Sequence, residues 1–237
     1  MTKASREIGL GVGFYTRAEA ARLLGVHATR LNRWVMGYTY RRGEVTPVRR
    51  PALIPPSLPE RRGLVALSFV DLIELRVVKV LIDRGLSLQR IRKARRYAQQ
   101  HYPVAHPFAS RRVYTADRNV FIEFLSSDGA PDFLELTHRG HLQIQAGGLV
   151  EGFLDEVAFD DKRSLAHKWW PLGRAFPVTL DPAVAFGAPV VEGTGVRTDV
   201  IAALATRTSV ADAADAYRLD SEPARAALRF ERILRAA

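Results

Sequence analysis

Within the stretch ATRLNRW, Arg30, Asn32 and Arg33 place strong hydrogen-bonding side chains within four positions, with Thr29 and His27 just ahead of them. This is chemistry for reading base edges. An arginine fork pairs bidentately with guanine and an asparagine amide with adenine, each good pair discriminating by roughly 1–3 kcal/mol. For that to work the residues must project from a rod that fits the major groove. Further along, Arg41, Arg42, Arg49, Arg50, Arg61 and Arg62 lie in a stretch with five prolines and no helical period, YTYRRGEVTPVRRPALIPPSLPERRGLVA. Such residues grip phosphates and fix register without reading sequence.

The charge distribution points the same way. Residues 1–100 hold 20 Lys and Arg against 7 Asp and Glu, a surplus of 13, whereas residues 101–237 hold 15 against 18. A strongly basic half attracts polyanions by releasing their counterions; a solvated basic surface that serves solubility is the plain alternative. There are no cysteines, which excludes disulfides, thiol catalysis and zinc ribbons and suits a reducing compartment. No apolar run approaches the roughly 18 residues of a membrane span, and the amino terminus lacks the apolar core of a secretory signal. A cytoplasmic location, without membrane association, is the expectation.

The positioning elements can be read from local signals. Thr16 and Glu19 have the spacing of a capping box, and the helix they start must stop at Gly25. Val26 packs into the angle, and a second helix runs from about Ala28 to Met36 with Leu31 and Trp34 facing inward. The basic, proline-rich stretch over 38–66 reads as a loop or two-stranded wing. Ser68 and Asp71 cap a long helix to about Asp83, with Phe69, Leu72, Ile73, Val77, Val80 and Leu81 as its buried stripe. After Gly85, Ser87 starts a basic helix with Leu88, Ile91 and Ala98 inward and Arg90, Arg92, Lys93, Arg95 and Arg96 polar. The pattern then changes to period two in RRVYTADRNVFIEFL and DFLELTHRGHLQIQ, which predicts a small antiparallel sheet. Trp169 and Trp170 anchor an acidic connector. From Pro177 the chain reads as strand, loop and three short helices near 198–206, 209–217 and 221–235, with turns at Gly187, Gly193 and Gly195.

Residues 14–100 resemble the MerR-type DNA-binding domain: helix-turn-helix, wing, then a helix pair whose turn carries RGLSLQRI here. The family usually has arginine where this chain has Asn32, with Arg30 and Arg33 flanking it. The long dimerising helix and effector-binding cysteines of the metal-sensing members are missing, so metal sensing is not implied. Residues 177–235 are similar to the antitoxin-associated domain of unknown function 433, through Asp181, Pro182, Gly187, Pro189, Gly193, Thr194 and Thr198. Where that family places arginine after its Gly-Thr pair this chain has Gly195, with Arg197 two positions on. Together the resemblances imply a VapB-type antitoxin that represses its own operator as a homodimer and neutralises a PIN-like ribonuclease toxin encoded by an adjacent gene.

The expected fold class is α+β, mainly α. It comprises a winged helix-turn-helix over 1–100, a small antiparallel β-sheet and connector over 101–175, and a three-helix, helix-turn-helix-like module over 176–237. Candidate DNA-binding residues are His27, Thr29, Arg30, Asn32, Arg33, Arg41, Arg42, Arg49, Arg50, Arg61 and Arg62. Arg225, Arg229 and Arg232 form one basic stripe at i, i+4 and i+7 and, with Arg197, are candidates for offering cations to the carboxylates of a metal-dependent ribonuclease. No catalytic residue, metal or cofactor is expected. Two other readings stand beside this one. A regulator could sense a small molecule through its middle and tail without a toxin. A magnesium-dependent nuclease could use Asp155, Glu156, Asp160 and Asp161. His138 and His141 flank a turn without a third ligand, and EGTGVRT lacks the ending of a phosphate-binding loop.

Overall fold

Thr16 starts the first helix as its spacing to Glu19 requires. Its hydroxyl accepts the Glu19 N–H at 3.2 Å, and the Glu19 carboxylate accepts the Thr16 N–H at 2.8 Å. Short β1 (Tyr15–Thr16) leads into α1 (Arg17–Leu24), which ends at Gly25 in the left-handed conformation with φ 59°. The Val26 N–H bonds back to the Ala21 carbonyl, and α2 (Ala28–Met36) follows with Leu31, Trp34 and Val35 buried. β2 (Tyr38–Tyr40) and β3 (Val48–Arg50) pair antiparallel as the wing, Tyr38 opposite Arg50 and Tyr40 opposite Val48. β4 (Ala66–Leu67) returns to pair with β1. This is a computed structural model that describes residues 11–41, 47–101, 104–111, 152–153 and 155–236. Apart from Arg111, the two alternating stretches expected to form the central sheet, with His138 and His141, lie outside the described residues, as does Arg42.

α3 (Phe69–Asp83) begins with the expected reciprocal cap: the Ser68 N–H donates to Asp71 Oδ2 at 2.9 Å and the Asp71 N–H to Ser68 Oγ at 3.2 Å. Instead of a single stripe, its burial extends to Asp71, Glu74, Leu75 and Val78, while Val80 is only half-buried. α4 (Leu88–His101) corrects a second expectation. Arg90 is buried and Arg95 turns inward, its guanidinium 3.0 Å from the fully buried Glu74 carboxylate. A carboxylate inside α3 must be paired, and α4 supplies the cation.

After a 3-10 turn at Pro107–Ala109, β5 (Val157–Phe159) and β6 (Ala166–Trp169) form a two-stranded sheet. β7 (Val178–Thr179) and β8 (Val190–Val191) pair antiparallel, followed by α5 (Thr198–Arg207), α6 (Val210–Tyr217) and α7 (Ser221–Ala236). These three helices close on small side chains, Ala205, Ala213, Ala214, Ala224 and Ala227, around Ile201 and Val191. Alanine lets helices approach closely. With small strands and mainly helical content, the protein is α+β.

The chain divides into two compact units, Met1–Leu72 with His167–Ala237 and Ile73–Ala166. In the first, residues near 14–15 meet residues near 186–187. The Tyr15 hydroxyl donates to the Gly187 carbonyl at 2.7 Å, and the Phe14 N–H donates to the Phe186 carbonyl at 3.2 Å. Gly187 has φ 85°, and a Cβ there would lie 2.3 Å from the Tyr15 oxygen. Burial, aided by the charges of Asp181 and Glu19, pushes the Tyr15 phenol above its usual range, so the hydroxyl keeps its proton and donates.

Tyr15→Phe leaves the Gly187 carbonyl without its donor and is expected to cost about 1–3 kcal/mol. Gly187→Ala should cost at least as much, because it also forces a side chain into a left-handed position. Urea unfolding followed by tryptophan fluorescence measures both, and unchanged midpoints would show that this pairing holds nothing together.

Candidate nucleic-acid interface

Helical spacing sends Leu31, Trp34 and Val35 into the core, so the opposite face of α2 must meet solvent. Thr29, Arg30 and Arg33 are exposed there. Among the described residues no carboxylate pairs with Arg30 or Arg33. His27 is exposed but serves as the helix cap, its Nδ1 accepting the Thr29 N–H at 3.3 Å. Asn32 is half-buried, and its Oδ1 accepts from Arg17 Nη1 at 3.1 Å.

The wing is fastened to the end of α2 by backbone. The Trp34 carbonyl, one of the acceptors that a helix terminus leaves open, takes N–H groups from Leu53 at 2.7 Å and Ile54 at 3.1 Å. Gly37, φ 76°, ends the helix so close to β3 that a Cβ would lie 2.3 Å from the Arg50 carbonyl. Beyond the wing, Asp71 Oδ2 accepts both the Ser57 N–H at 3.0 Å and the Ser57 hydroxyl at 2.8 Å. The returning arm is thereby held to α3.

Two tyrosines to which the sequence pattern assigns no role link the helix to the wing. The Arg33 guanidinium lies 5.8 Å from the Tyr38 ring centre, and Arg50 lies 5.8 Å from the Tyr40 ring centre; the two rings are 6.1 Å apart. Arg50 also donates to the Tyr40 hydroxyl at 3.4 Å. Stacking restricts guanidinium motion while leaving N–H groups outward. Arg41 and Arg49 are exposed, Arg49 opposite Thr39 on the other face of the strand pair. Arg61 and Arg62 ride a tight turn closed by reciprocal Arg61–Leu64 bonds of 3.1 and 2.9 Å, with Arg62 at φ 52° and Gly63 at φ 75°. Tyrosines at alternate positions of a basic strand, next to a helix end, are the signal that could have found this ledge.

On the carboxy-terminal helices, Arg225, Arg229 and Arg232 are exposed along α7, Arg229 lying 5.8 Å from the Phe176 ring centre. Arg197 is held by a local partner. It forks onto Asp199 at 3.0 and 2.6 Å. Nearby, Trp170 is flanked by Arg174 at 4.0 Å and Lys168 at 4.7 Å. Its indole N–H and Lys168 both donate to Glu192, at 3.0 and 2.7 Å. Burial opposes ionisation of Glu192, but those hydrogen bonds and the charges of Lys168 and Arg174 outweigh it and hold the carboxyl below its usual range.

A cleft of about 600 Å³ lies between α1 and the carboxy-terminal helices, lined by Phe14, Arg22, Leu23, Phe186 and Leu234 among others. Its carboxylates serve local structure: Glu19 caps α1, Asp199 pairs with Arg197, and Glu231 accepts from Thr198 at 2.5 Å. The acidic run is similarly occupied. Glu156 pairs with Arg76 at 3.0 Å, and Asp160 Oδ1 accepts the N–H groups of Lys162 and Arg163. Among the described residues no three His, Asp or Glu side chains are grouped to hold a metal ion, and no helix is long and apolar enough to cross a membrane.

Comparison with known proteins finds two matching families. A family described as "Putative DNA-binding HTH domain" matches residues 13–95, and one described as "Protein of unknown function (DUF433)" matches residues 178–230. The protein named "Putative antitoxin VapB45" from Mycobacterium tuberculosis H37Rv is 31% identical over 231 residues, covering 94% of this chain and 95% of that one. The crystal structure of Rv2018 from Mycobacterium tuberculosis has a TM-score of 0.66 at 27% identity, covering 90% of this chain and 96% of the other.

Because the folded protein binds the Glu192 proton less tightly than the unfolded chain, its stabilisation is complete above the ordinary value of 4.5 and is lost as pH falls through the depressed folded value. The gap in melting temperature between the wild type and Glu192→Gln should therefore narrow steadily below about pH 4.5. A gap that stays constant with pH would contradict the pairing with Lys168 and Trp170.

Proposed function

The chain belongs to the family of the protein named "Putative antitoxin VapB45", to which it is 31% identical along 94% of its length, and from this we propose that it binds its own operator DNA and neutralises a PIN-like ribonuclease. The observation that carries the DNA half is the outer face of α2. Arg30 and Arg33 stand exposed and without carboxylate partners among the described residues, on the second helix of a helix-turn-helix, while Leu31 and Trp34 anchor its inner face. In this reading Thr29, Arg30, Asn32 and Arg33 meet base edges and His27 sets the helix start. Arg41, Arg42, Arg49, Arg50, Arg61 and Arg62 hold phosphates to either side. A homodimer presents two such helices to half-sites separated by whole helical turns.

The functional division runs along 1–100, 101–175 and 176–237: reader, connector and toxin-binding module. Arg225, Arg229 and Arg232 offer cations to the acidic, metal-gathering site of the ribonuclease. Arg197, held by Asp199, contributes after exchanging that partner for one on the toxin. The protein acts by binding and carries out no reaction. One observation favours a second reading, an effector-sensing regulator with no toxin: the 600 Å³ cleft beside α1 could house a small molecule.

Replacing Arg30 and Arg33 together with alanine should weaken operator binding by about tenfold or more and blur base preference. Arg49→Ala with Arg50→Ala should reduce affinity evenly across sequences and flatten the log–log salt dependence by about one unit for each phosphate no longer neutralised. Fluorescence anisotropy at several salt concentrations separates the two effects; equal losses on operator and random duplex from the helix variant would contradict its assignment. Co-expression of the full chain with the product of the adjacent gene tests the other half. A stable complex that silences ribonuclease activity and is weakened by Arg225→Glu with Arg229→Glu supports it; no complex favours the effector-sensing reading.

A further inference from the structure

Asn32 of α2 has a hydrogen-bonding side-chain partner in Arg17, and that partner can bind only one end of its amide. Arginine carries donors and no acceptor, so the atom 3.1 Å from Arg17 Nη1 is the amide oxygen. The NH₂ group must then occupy the opposite end. Bidentate recognition of adenine needs both ends at one base edge, the oxygen accepting from N6 and the NH₂ donating to N7. A charge-assisted bond is about twice as strong as a neutral one, so the Arg17 contact holds the oxygen toward α1 against that competition.

Arg17 is well placed for this task. It is the first residue of α1, half-buried, directly after the Thr16 cap that fixes the start of the helix. Among the described residues no carboxylate pairs with it, so its guanidinium is not spent on neutralising a charge. α1 and α2 are fixed relative to one another by the Gly25 turn and the burial of Ala20, Ala21, Leu24, Leu31 and Trp34.

We propose that Arg17 is a positioning residue for base readout: by bonding Asn32 Oδ1 it turns the Asn32 NH₂ outward, making Asn32 a donor to purine N7 instead of a selector of adenine. Guanine and adenine both present N7 in the major groove. Asn32 therefore distinguishes purine from pyrimidine at its position and leaves the choice between the two purines to Arg30 and Arg33. The inference rests on α2 being the base-reading helix.

The test is selection of the full-length protein against a library of randomised duplexes, for the wild type, Asn32→Ala, Arg17→Met and Arg17→Lys. The wild type should favour either purine by about tenfold over pyrimidine at the position whose preference vanishes in Asn32→Ala. Arg17→Met frees the amide to rotate and should shift that position toward adenine. Arg17→Lys, which also donates to Oδ1, should restore the two-purine preference. A wild-type profile confined to adenine at this position would overturn the inference without reference to any variant. So would an Arg17→Met profile that matches the wild type while affinity falls uniformly, the mark of a simple phosphate contact. Wild-type protein that enriches no sequence at all would instead refute DNA reading by α2, an outcome distinct from the other two.

Discussion

The Tyr15–Gly187 contact is buried and joins residues 172 positions apart within the first unit. The phenol fills the space that any side chain at position 187 would need, so the two positions constrain one another sterically as well as through the hydrogen bond. Immediately before Gly187, Ala185 and Phe186 hold left-handed conformations at φ 47° and 55°, each disfavoured for a residue with a Cβ. They persist because the turn is closed at both ends, by the Phe14 N–H on the Phe186 carbonyl and by Tyr15 on Gly187. The result leaves Phe186 59% exposed at the edge of the cleft beside α1. The first strand of the helix-turn-helix is thus built against the carboxy-terminal module rather than strung from it by a linker.

A second constraint places the wing. A helix that ends on glycine leaves carbonyls to be satisfied, and here the chain leaving the wing satisfies Trp34 with two successive N–H groups. Gly37 permits the close passage, and Asp71 catches the arm again at Ser57. The segment that follows β3 is thus anchored twice, and beside it Tyr38 and Tyr40 form a ledge under Arg33 and Arg50. Pre-placed guanidinium groups lose less side-chain entropy on binding than free ones.

Local features of this fold could be read from residue types a few positions apart. Thr16 with Glu19 and Ser68 with Asp71 form the expected caps. Gly25 turns left-handed, and α2 has the expected limits and inner face. The glycines at 187, 193 and 195 all have positive φ, as turns there require. What escaped were partnerships across sequence distance. A helical projection of α4 alone puts Arg95 among its polar residues; only the buried Glu74, 21 positions earlier on another helix, turns it inward. The Ser57–Asp71 clasp and the Arg17–Asn32 bond span 14 and 15 positions, too far for any periodic signal and dependent on how the helices meet. Tyr38 and Tyr40 carried a local signal, alternation on a basic strand, that was open to use.

The cationic surplus of the first hundred residues could equally describe a surface that is merely soluble, and counting charges does not separate the two. Pairing does. Arg76, Lys79 and Arg95, on the helix pair, each have a carboxylate partner. Arg30, Arg33, Arg41, Arg49, Arg50, Arg61 and Arg62 have none among the described residues, although the unit that contains them also holds acidic side chains such as Glu60. A folded chain gains little from an exposed ion pair, so selection for stability alone would be nearly indifferent to which arginines were matched. Three cations of α3 and α4 are matched in this way, whereas those on the outer face of α2, the wing and the tight turn at Arg61–Leu64 have no carboxylate among the described residues, as is also true of Arg96 on α4 and of Arg225, Arg229 and Arg232 on α7. Unmatched cations gathered on neighbouring elements repel one another in the free protein, and that repulsion is relieved when a polyanion releases its counterions to them.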